Sequence, residues 1–394
     1  MTKNQSIHLA KRLIGLLILT CLLLLVGCSK NNTNQKQLST NDESEPVSSK
    51  ESQDEFKDEI KKTSKVVVRS IGDILIHDTV YYDAATEDGK YNFDKMFEPV
   101  KEYIQNADIT TANLEVIAGS EAVGVSSYPF FSAPVEILDT LKNLGVDIVN
   151  NATNHTLDFG SQGAHASIKA LQDRKIMYVG SYDSWDDYNS MRIIEKNGMK
   201  IGFLSYCYGT NGNPIPEGEE YLMTLIDTKL IPLEIERIQN QVDASIVMIH
   251  NGEEYEYYPV ESQLKVNQVA LDAGANFILG GHPHVLEPFF RENEAQGGLY
   301  SHGNFLSGQY QLDTKLGGIS EYTFERDENG KVILGKIRFM PTYNFGLPET
   351  PNYLVIPLAD WEKYDLWGGD EYFEMIKNRM TSYDPTVEVV EYLD

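Results

Sequence analysis

Six short apolar, β-branched runs recur along the chain, at 66–71, 108–112, 147–150, 200–206, 244–250 and 276–280, and most of them lead into residues able to do chemistry. Gly72-Asp73 closes the first, Asn113-Leu114-Glu115 the second, and Asn154-His155 with Asp158 follows the third. His250-Asn251-Gly252-Glu253-Glu254 and Gly280-Gly281-His282-Pro283-His284 close the last two. Such runs read as buried strands, and the stretches between them, 97–105, 135–144, 164–174, 228–239 and 262–273, have helical periodicity. Leu144-Gly145 and Ala273-Gly274 supply helix stops. Strands alternating with helices predict a layered α/β fold with a largely parallel central sheet. After Leu299 the pattern changes, and 321–325 and 331–340 read as antiparallel strands about an Asn329-Gly330 turn. The tail from Glu349 is aromatic and acidic and assigns itself to no element.

The first residues read as an address. Lys3, Lys11 and Arg12 precede a 14-residue apolar run, Leu13 to Val26, which is too short for the roughly 20 residues of a membrane span and fits an export signal. Leu25-Val26-Gly27-Cys28 resembles the bacterial lipobox, in which the cysteine becomes the lipid-bearing first residue. Residues 1–27 are therefore expected to be a lipoprotein signal, and 28–63, rich in Asn, Ser, Thr, Gln, Lys, Asp and Glu, a disordered tether with too little apolar surface to offset its ordering entropy. The expected location is the cell membrane, lipid-anchored on its extracytoplasmic face. Cys21 leaves with the signal and Cys28 carries lipid, so Cys207 alone remains and the body must hold by its core.

Losing residues 1–27 removes three positive charges and moves the formal charge from -26 to -29. Phosphate backbones attract Lys and Arg, so this balance argues against nucleic acid as a partner. No P-loop and no Gly-x-Ser-x-Gly elbow is present, which removes sequence support for nucleotide-driven ligation and serine hydrolysis.

The carboxyl ends of parallel strands form the ligand crevice of an α/β sheet, so these segments can converge on one place. His282 and His284 are two apart, which on a straight strand would share a face, although Pro283 between them suggests a loop. With Asp73, Glu115, Asn154 and His250 they form a mixed nitrogen and oxygen set suited to Zn, Mn or Fe. That many groups exceeds the four ligands of a closed structural zinc site, which points to one or two divalent transition-metal ions and to hydrolysis of a phosphoester or amide bond.

The segments Ile71-Gly72-Asp73, Ala112-Asn113-Leu114-Glu115, Thr153-Asn154-His155-Thr156-Leu157-Asp158-Phe159-Gly160, His250-Asn251-Gly252-Glu253-Glu254, Gly281-His282-Pro283-His284-Val285 and Tyr300-Ser301-His302-Gly303-Asn304-Phe305, in this order, resemble the CapA family of capsule and poly-γ-glutamate synthesis proteins, whose domain is related to calcineurin-like metallophosphoesterases. The resemblance covers roughly residues 65 to 310 and implies a metallophosphoesterase-like layered α/β sandwich; with the strand pattern after Leu299, the expected domain runs over 64–345 with a C-terminal antiparallel β extension, and residues 346–394 are expected to pack on the same body. It implies Asp73 as first metal ligand, Glu115 as bridging carboxylate, and Asn154, His250, His282 and His284 as further ligands. His155 would act beside the leaving group, and Glu254 as an orienting residue or a base. Position 75, where these phosphoesterases carry a histidine, is Leu, and His77 either replaces it as a ligand or is a loop histidine. Thr153 stands where Gly is usual, and His302 where Leu is usual.

The expected function is a membrane-anchored CapA-type hydrolase of envelope-polymer biosynthesis, its partners being the membrane through Cys28, an anionic envelope polymer or precursor, and membrane-bound capsule synthesis proteins. The alternative is a non-catalytic accessory subunit that binds or exports the polymer.

Overall fold

The computed structural model describes residues 64–394, and the expected signal, the tether and Cys28 lie outside the described residues. The expected layered α/β sandwich is found, with its parallel strands divided between two mixed sheets and not gathered in one central sheet. The nine-stranded sheet contains β1 (Lys65–Leu75), β2 (Ile109–Leu114), β3 (Ile148–Asn150), β4 (Met177–Val179), β11 (Asn304–Ser307), β12 (Leu316–Arg326), β13 (Val332–Leu347), β14 (Thr350–Pro357) and β15 (Glu388–Val389). Its main path runs β14-β13-β12-β1-β2-β3-β4, with β11 beside β1 and β15 beside β13. The six-stranded sheet runs β5-β6-β7-β8-β10-β9, from β5 (Arg192–Lys196), β6 (Met199–Cys207), β7 (Ala244–His250), β8 (Phe277–Gly281), β9 (Leu286–Asn293) and β10 (Gln296–His302). β1, β2, β3 and β4 are parallel in one sheet, as are β6, β7 and β8 in the other. Alternation along a chain cannot say which strands pair, and here the parallel strands divide between two layers.

The sequence explains why β6, β7 and β8 read as nearly continuous apolar runs. Ala244, Ile246 and Met248 enter one core cluster while Val247 and Ile249 enter a second; Phe277 and Leu279 separate from Ile278 in the same way. Successive side chains on a strand point to opposite faces, and both faces here are covered. The first core lies between the sheets, where Phe277 of β8 stacks on Tyr322 of β12 at 3.7 Å between ring centroids. The second lies under helices α4 (Leu230–Gln239) and α5 (Glu261–Asp272), which contribute Ile231, Ile235, Ile238, Val266 and Ala270. The nine-stranded sheet is flanked by α1 (Asp78–Ala84), α2 (Ile137–Asn143) and α3 (Gly160–Arg174). The helix expected at 97–105 is interrupted, because Pro99 sits in a 3-10 turn between two short helical pieces. The tail joins the body: β14 and β15 both pair with β13, and α6 (Gly369–Met380) buries Ile376 and Met380. Among the described residues, no helix is long and apolar enough to cross a membrane.

Two close approaches fix the site end of β1. A side chain at Gly72 would place a Cβ 2.1 Å from the Gly303 carbonyl oxygen, so only glycine lets β11 and the His302-Gly303 turn lie against β1. The register of β1 shifts between Asp73 and Ile74 at this point, which leaves Asp73 at a bend.

Glu287 on β9 is fully buried and accepts from Gln263 Nε2 at 2.6 Å, and burial pushes its pKa up to about 8. A folded-state pKa above the unfolded one means that stability is complete below the ordinary glutamate range and is lost as pH rises towards 8. Glu287→Gln keeps an acceptor for Gln263 and removes the ionisation cost; it should raise unfolding free energy at pH 7.5 by ~1–3 kcal/mol, allowing for an amide group left without a partner. Urea titrations at pH 7.5 and 4.5 check this, the gain disappearing at the lower pH.

Candidate metal centre

The chemistry-bearing segments meet where the carboxyl ends of both sets of parallel strands face each other. Asp73 lies near the end of β1, Glu115 follows β2, Asn154 follows β3, His250 ends β7, and His282 and His284 follow β8. All six are buried, Asp73, Glu115 and His250 completely. Glu115, His250 and His282 form one group able to share an ion, and Asp73, Glu115 and His284 form a second. Glu115 is common to both: its Oε1 lies 3.2 Å from His250 Nε2 and its Oε2 3.8 Å from His284 Nδ1. A carboxylate so placed is shared by both groups.

The surrounding contacts orient these groups. His250 Nε2 is 2.8 Å from Asn154 Oδ1, while Asn154 Nδ2 donates to Asn211 Oδ1 at 3.3 Å, so the amide turns its oxygen to the centre. His284 Nδ1 lies 3.2 Å from both Asp73 Oδ2 and Asn304 Oδ1. His282 and His284 hold positive φ angles of 99° and 61°, a backbone strain of order 1–3 kcal/mol each that packing must sustain. The loop expected from Pro283 is therefore correct in kind, and its strain turns both imidazoles towards the acidic strand ends.

Electrostatics describe a site short of positive charge. Burial, then the Asp73 charge, pushes the Glu115 carboxyl well above its ordinary range. Burial would also raise Asp73, but its hydrogen bond to His284 and the charge of that ring hold it below the usual value. Burial and neighbouring imidazoles drive His250 well down and His282 to about 3, so both rings are neutral and keep lone pairs for a ligand. Both Glu115 oxygens, His250 Nδ1 and His282 Nδ1 are buried without a hydrogen-bond partner among the described residues. Buried polar atoms are rarely left so, and a concentration of them around two carboxylates fits a divalent cation. Gly281 leaves the space open, since a Cβ there would sit 3.0 Å from Asn113 Nδ2, 3.3 Å from Asp73 Oδ1 and 3.4 Å from His250 Nδ1.

The remaining sequence candidates take different places. His155 Nδ1 pairs with Asp158 Oδ2 at 2.7 Å, and the same oxygen accepts the Phe131 N–H at 2.7 Å. Phe131 meets the His155 ring edge-on at 4.7 Å and the His77 ring at 5.0 Å. His77 belongs to neither ion-sharing group; its Nδ1 sits 3.1 Å from the Leu75 carbonyl and 3.2 Å from the Gly308 amide nitrogen, while Leu75 itself is buried in the core. Glu254 is exposed on a loop tied to the histidine loop by the Tyr255 N–H donating to the Pro283 carbonyl at 2.8 Å. His165 is outside the site, on α3, paired with Asp183 and Glu219.

Several participants went unassigned in the sequence. Asn113 donates to Asp73 Oδ1 at 2.7 Å, and Asn304 faces His284. Tyr208 covers His282 with ring centroids 4.5 Å apart and stands half-exposed at the mouth. His302 is buried with its Nδ1 unpartnered, and burial lowers its pKa to about 4. Asn113, His302 and Asn304 each lie within a segment that carries the family resemblance, whereas Tyr208 carries no pattern.

Residues 65–309 match the family model described as bacterial capsule synthesis protein PGA_cap. Relatives include the capsule biosynthesis protein CapA of Bacillus anthracis, 27% identical over 283 residues covering 70% of this chain and 67% of that one. The PGA biosynthesis protein CapA of Bacillus subtilis (strain 168) is 26% identical over 268 residues, covering 66% and 68%. Among solved structures, a putative 5'-nucleotidase from Staphylococcus aureus superposes with a TM-score of 0.48 at 11% identity over 75% of this chain and 54% of its own. The Haemophilus influenzae NAD nucleotidase does so at 0.44 and 10% over 84% and 58%, so this chain spans little more than half of either. By the match of its family model over most of the folded body, this chain belongs to the bacterial capsule synthesis protein PGA_cap family.

Proposed function

We propose that the protein is a metal-dependent hydrolase of envelope-polymer metabolism, cutting a phosphoester or amide bond in an anionic capsule polymer such as poly-γ-glutamate or in its precursor. The observation that carries this reading is Glu115, buried without a hydrogen-bond partner between two imidazole-bearing groups that each close on a common point. Asp73, Glu115, Asn154, His250, His282 and His284 would hold one or two ions of Mn, Zn or Fe. Such ions supply Lewis-acid polarisation of the scissile bond and a water acidic enough to attack near neutral pH. They would also offset the acidic surroundings, in which Glu253, Glu254 and Glu256 stand exposed close to the site and would repel an anionic polymer.

His155, whose Nδ1 is paired with Asp158, would give a proton to the departing oxygen or nitrogen. Lipid on Cys28 would anchor the body at the outer face of the cell membrane, beside membrane-bound synthesis proteins. A second reading, a polymer-binding accessory subunit, draws support from position 75: Leu75 is buried in the core and His77 stands apart from the ligand groups, which leaves one ion a ligand short.

Metal removal separates the two. Protein stripped with a chelator and reloaded with Mn²⁺ should retain about two equivalents and hydrolyse bis(p-nitrophenyl) phosphate, with turnover falling at least ~100-fold when stripped. Stoichiometric metal with no turnover on this diester or on γ-glutamyl polymer would favour the accessory role, and protein that takes up no metal would overturn the hydrolase reading.

A further inference from the structure

Behind Asp73 a line of neutral polar side chains runs out of the centre and crosses to the other sheet. Asn113 Nδ2 donates to Asp73 Oδ1 at 2.7 Å, and Asn113 Oδ1 accepts from Asn150 Nδ2 at 2.6 Å. Asn150 Oδ1 in turn accepts the Ser205 hydroxyl at 2.5 Å and the backbone N–H of Ala152 at 3.0 Å. Asp73 and Asn113 lie near the carboxyl ends of β1 and β2, and Asn150 ends β3, all in the nine-stranded sheet, while Ser205 lies on β6 of the six-stranded one. None of the four residues is more than 4% exposed.

The polarity of this line has one solution. A carboxylate only accepts, so Asn113 must turn its NH₂ to Asp73; that leaves its oxygen for the NH₂ of Asn150, and the oxygen of Asn150 for Ser205 and Ala152. Flipping either amide would set two acceptors face to face in a buried space, a cost the fold avoids. Asn150 is the branch point. Through Asn113 it sets the Asp73 carboxylate, and through the Ala152 N–H it fixes the turn that leads to Asn154, whose oxygen faces His250.

We propose that Asn150, anchored across the sheets by Ser205, is the positioning residue that holds Asp73 and Asn154, one from each half of the centre, at the separation ion binding requires. This rests on the metal-centre reading above. Outer partners of this kind orient ligands, and losing one typically weakens metal binding 10–100-fold.

Mn²⁺ titration of the metal-free full chain tests it, with thermal unfolding of the same samples before metal is added. Asn150→Ala should weaken Mn²⁺ binding by roughly 10–100-fold. Ser205→Ala, which removes a single oxygen and spares the fold, should weaken it by roughly 3- to 10-fold, the share of one hydrogen bond. The double variant should bind within about twofold of Asn150→Ala alone, because the link is already cut. Thr111→Val is the control: Thr111 lies on β2 with Asn113, and its hydroxyl donates to Ser70 at 2.8 Å off this line, so it should lower metal-free stability with affinity kept within about twofold. Wild-type affinity in both Ser205→Ala and Asn150→Ala, or an equal loss in Thr111→Val, would reduce the line to structure alone and overturn the proposal. A wild-type protein that binds no Mn²⁺ would instead overturn the metal-centre reading and take this inference with it.

Discussion

Replacing His282 with alanine is expected to strip most of the bound metal and cut hydrolysis by at least ~100-fold, while the metal-free protein unfolds at the wild-type midpoint or slightly above it. His282 joins Glu115 and His250 in one ion-sharing group, so its loss leaves two strong donors where three stood. The stability expectation has a separate origin. The His282 ring is buried with Nδ1 unpartnered, and a pKa near 3 records how poorly that space accepts a charge. Removing it costs contact with Tyr208 but relieves an unsatisfied polar group, and these nearly cancel. The loaded wild type should then exceed the loaded variant by about 2.7 kcal/mol at a hundredfold excess of metal over its dissociation constant. Metal analysis and paired unfolding curves, with and without chelator, measure both effects. A variant that keeps its metal would remove His282 from the centre, and a metal-free variant that fails to fold would make its role structural.

The strands that position the site were readable because burial on both faces leaves a continuous apolar run. β7 was expected at 244–250 and found at Ala244–His250; β6 was expected at 200–206 and found at Met199–Cys207. Short or half-polar strands gave no such run, and β4, β9, β10 and β11 went unassigned. β5 has a local signal, since Asn197-Gly198, both at positive φ, make the hairpin turn into β6. In the site, the six ligand candidates could be found because carboxylates and imidazoles at strand ends are conspicuous. Asn150 and Ser205 could not. A neutral amide or hydroxyl within an apolar run looks like any strand residue, and its meaning appears only when partners 37 and 55 residues away are brought against it. The division into two sheets was hidden for the same reason, since it depends on β4 ending one sheet while β5 and β6 open another, which no local pattern records.

His155→Ala should leave metal content unchanged and lower turnover by an amount that depends on what departs. His155 belongs to neither ion-sharing group, and its Nδ1 is committed to Asp158 at 2.7 Å, so only Nε2 is left to carry a proton to a substrate. A proton donor matters in proportion to how badly the leaving group needs the proton. An alkoxide or amide leaving group departs poorly without one, and general-acid assistance is worth about 10²–10⁴-fold there. A p-nitrophenolate needs little help, so the same variant should lose less than about tenfold on the activated diester. Asp158→Asn should reproduce the pattern more weakly, because it leaves the imidazole in place and removes only the carboxylate that orients it. If His155→Ala slows both classes of substrate equally, the ring binds rather than donates; if it also releases metal, the separation between the dyad and the ion-holding groups is wrong.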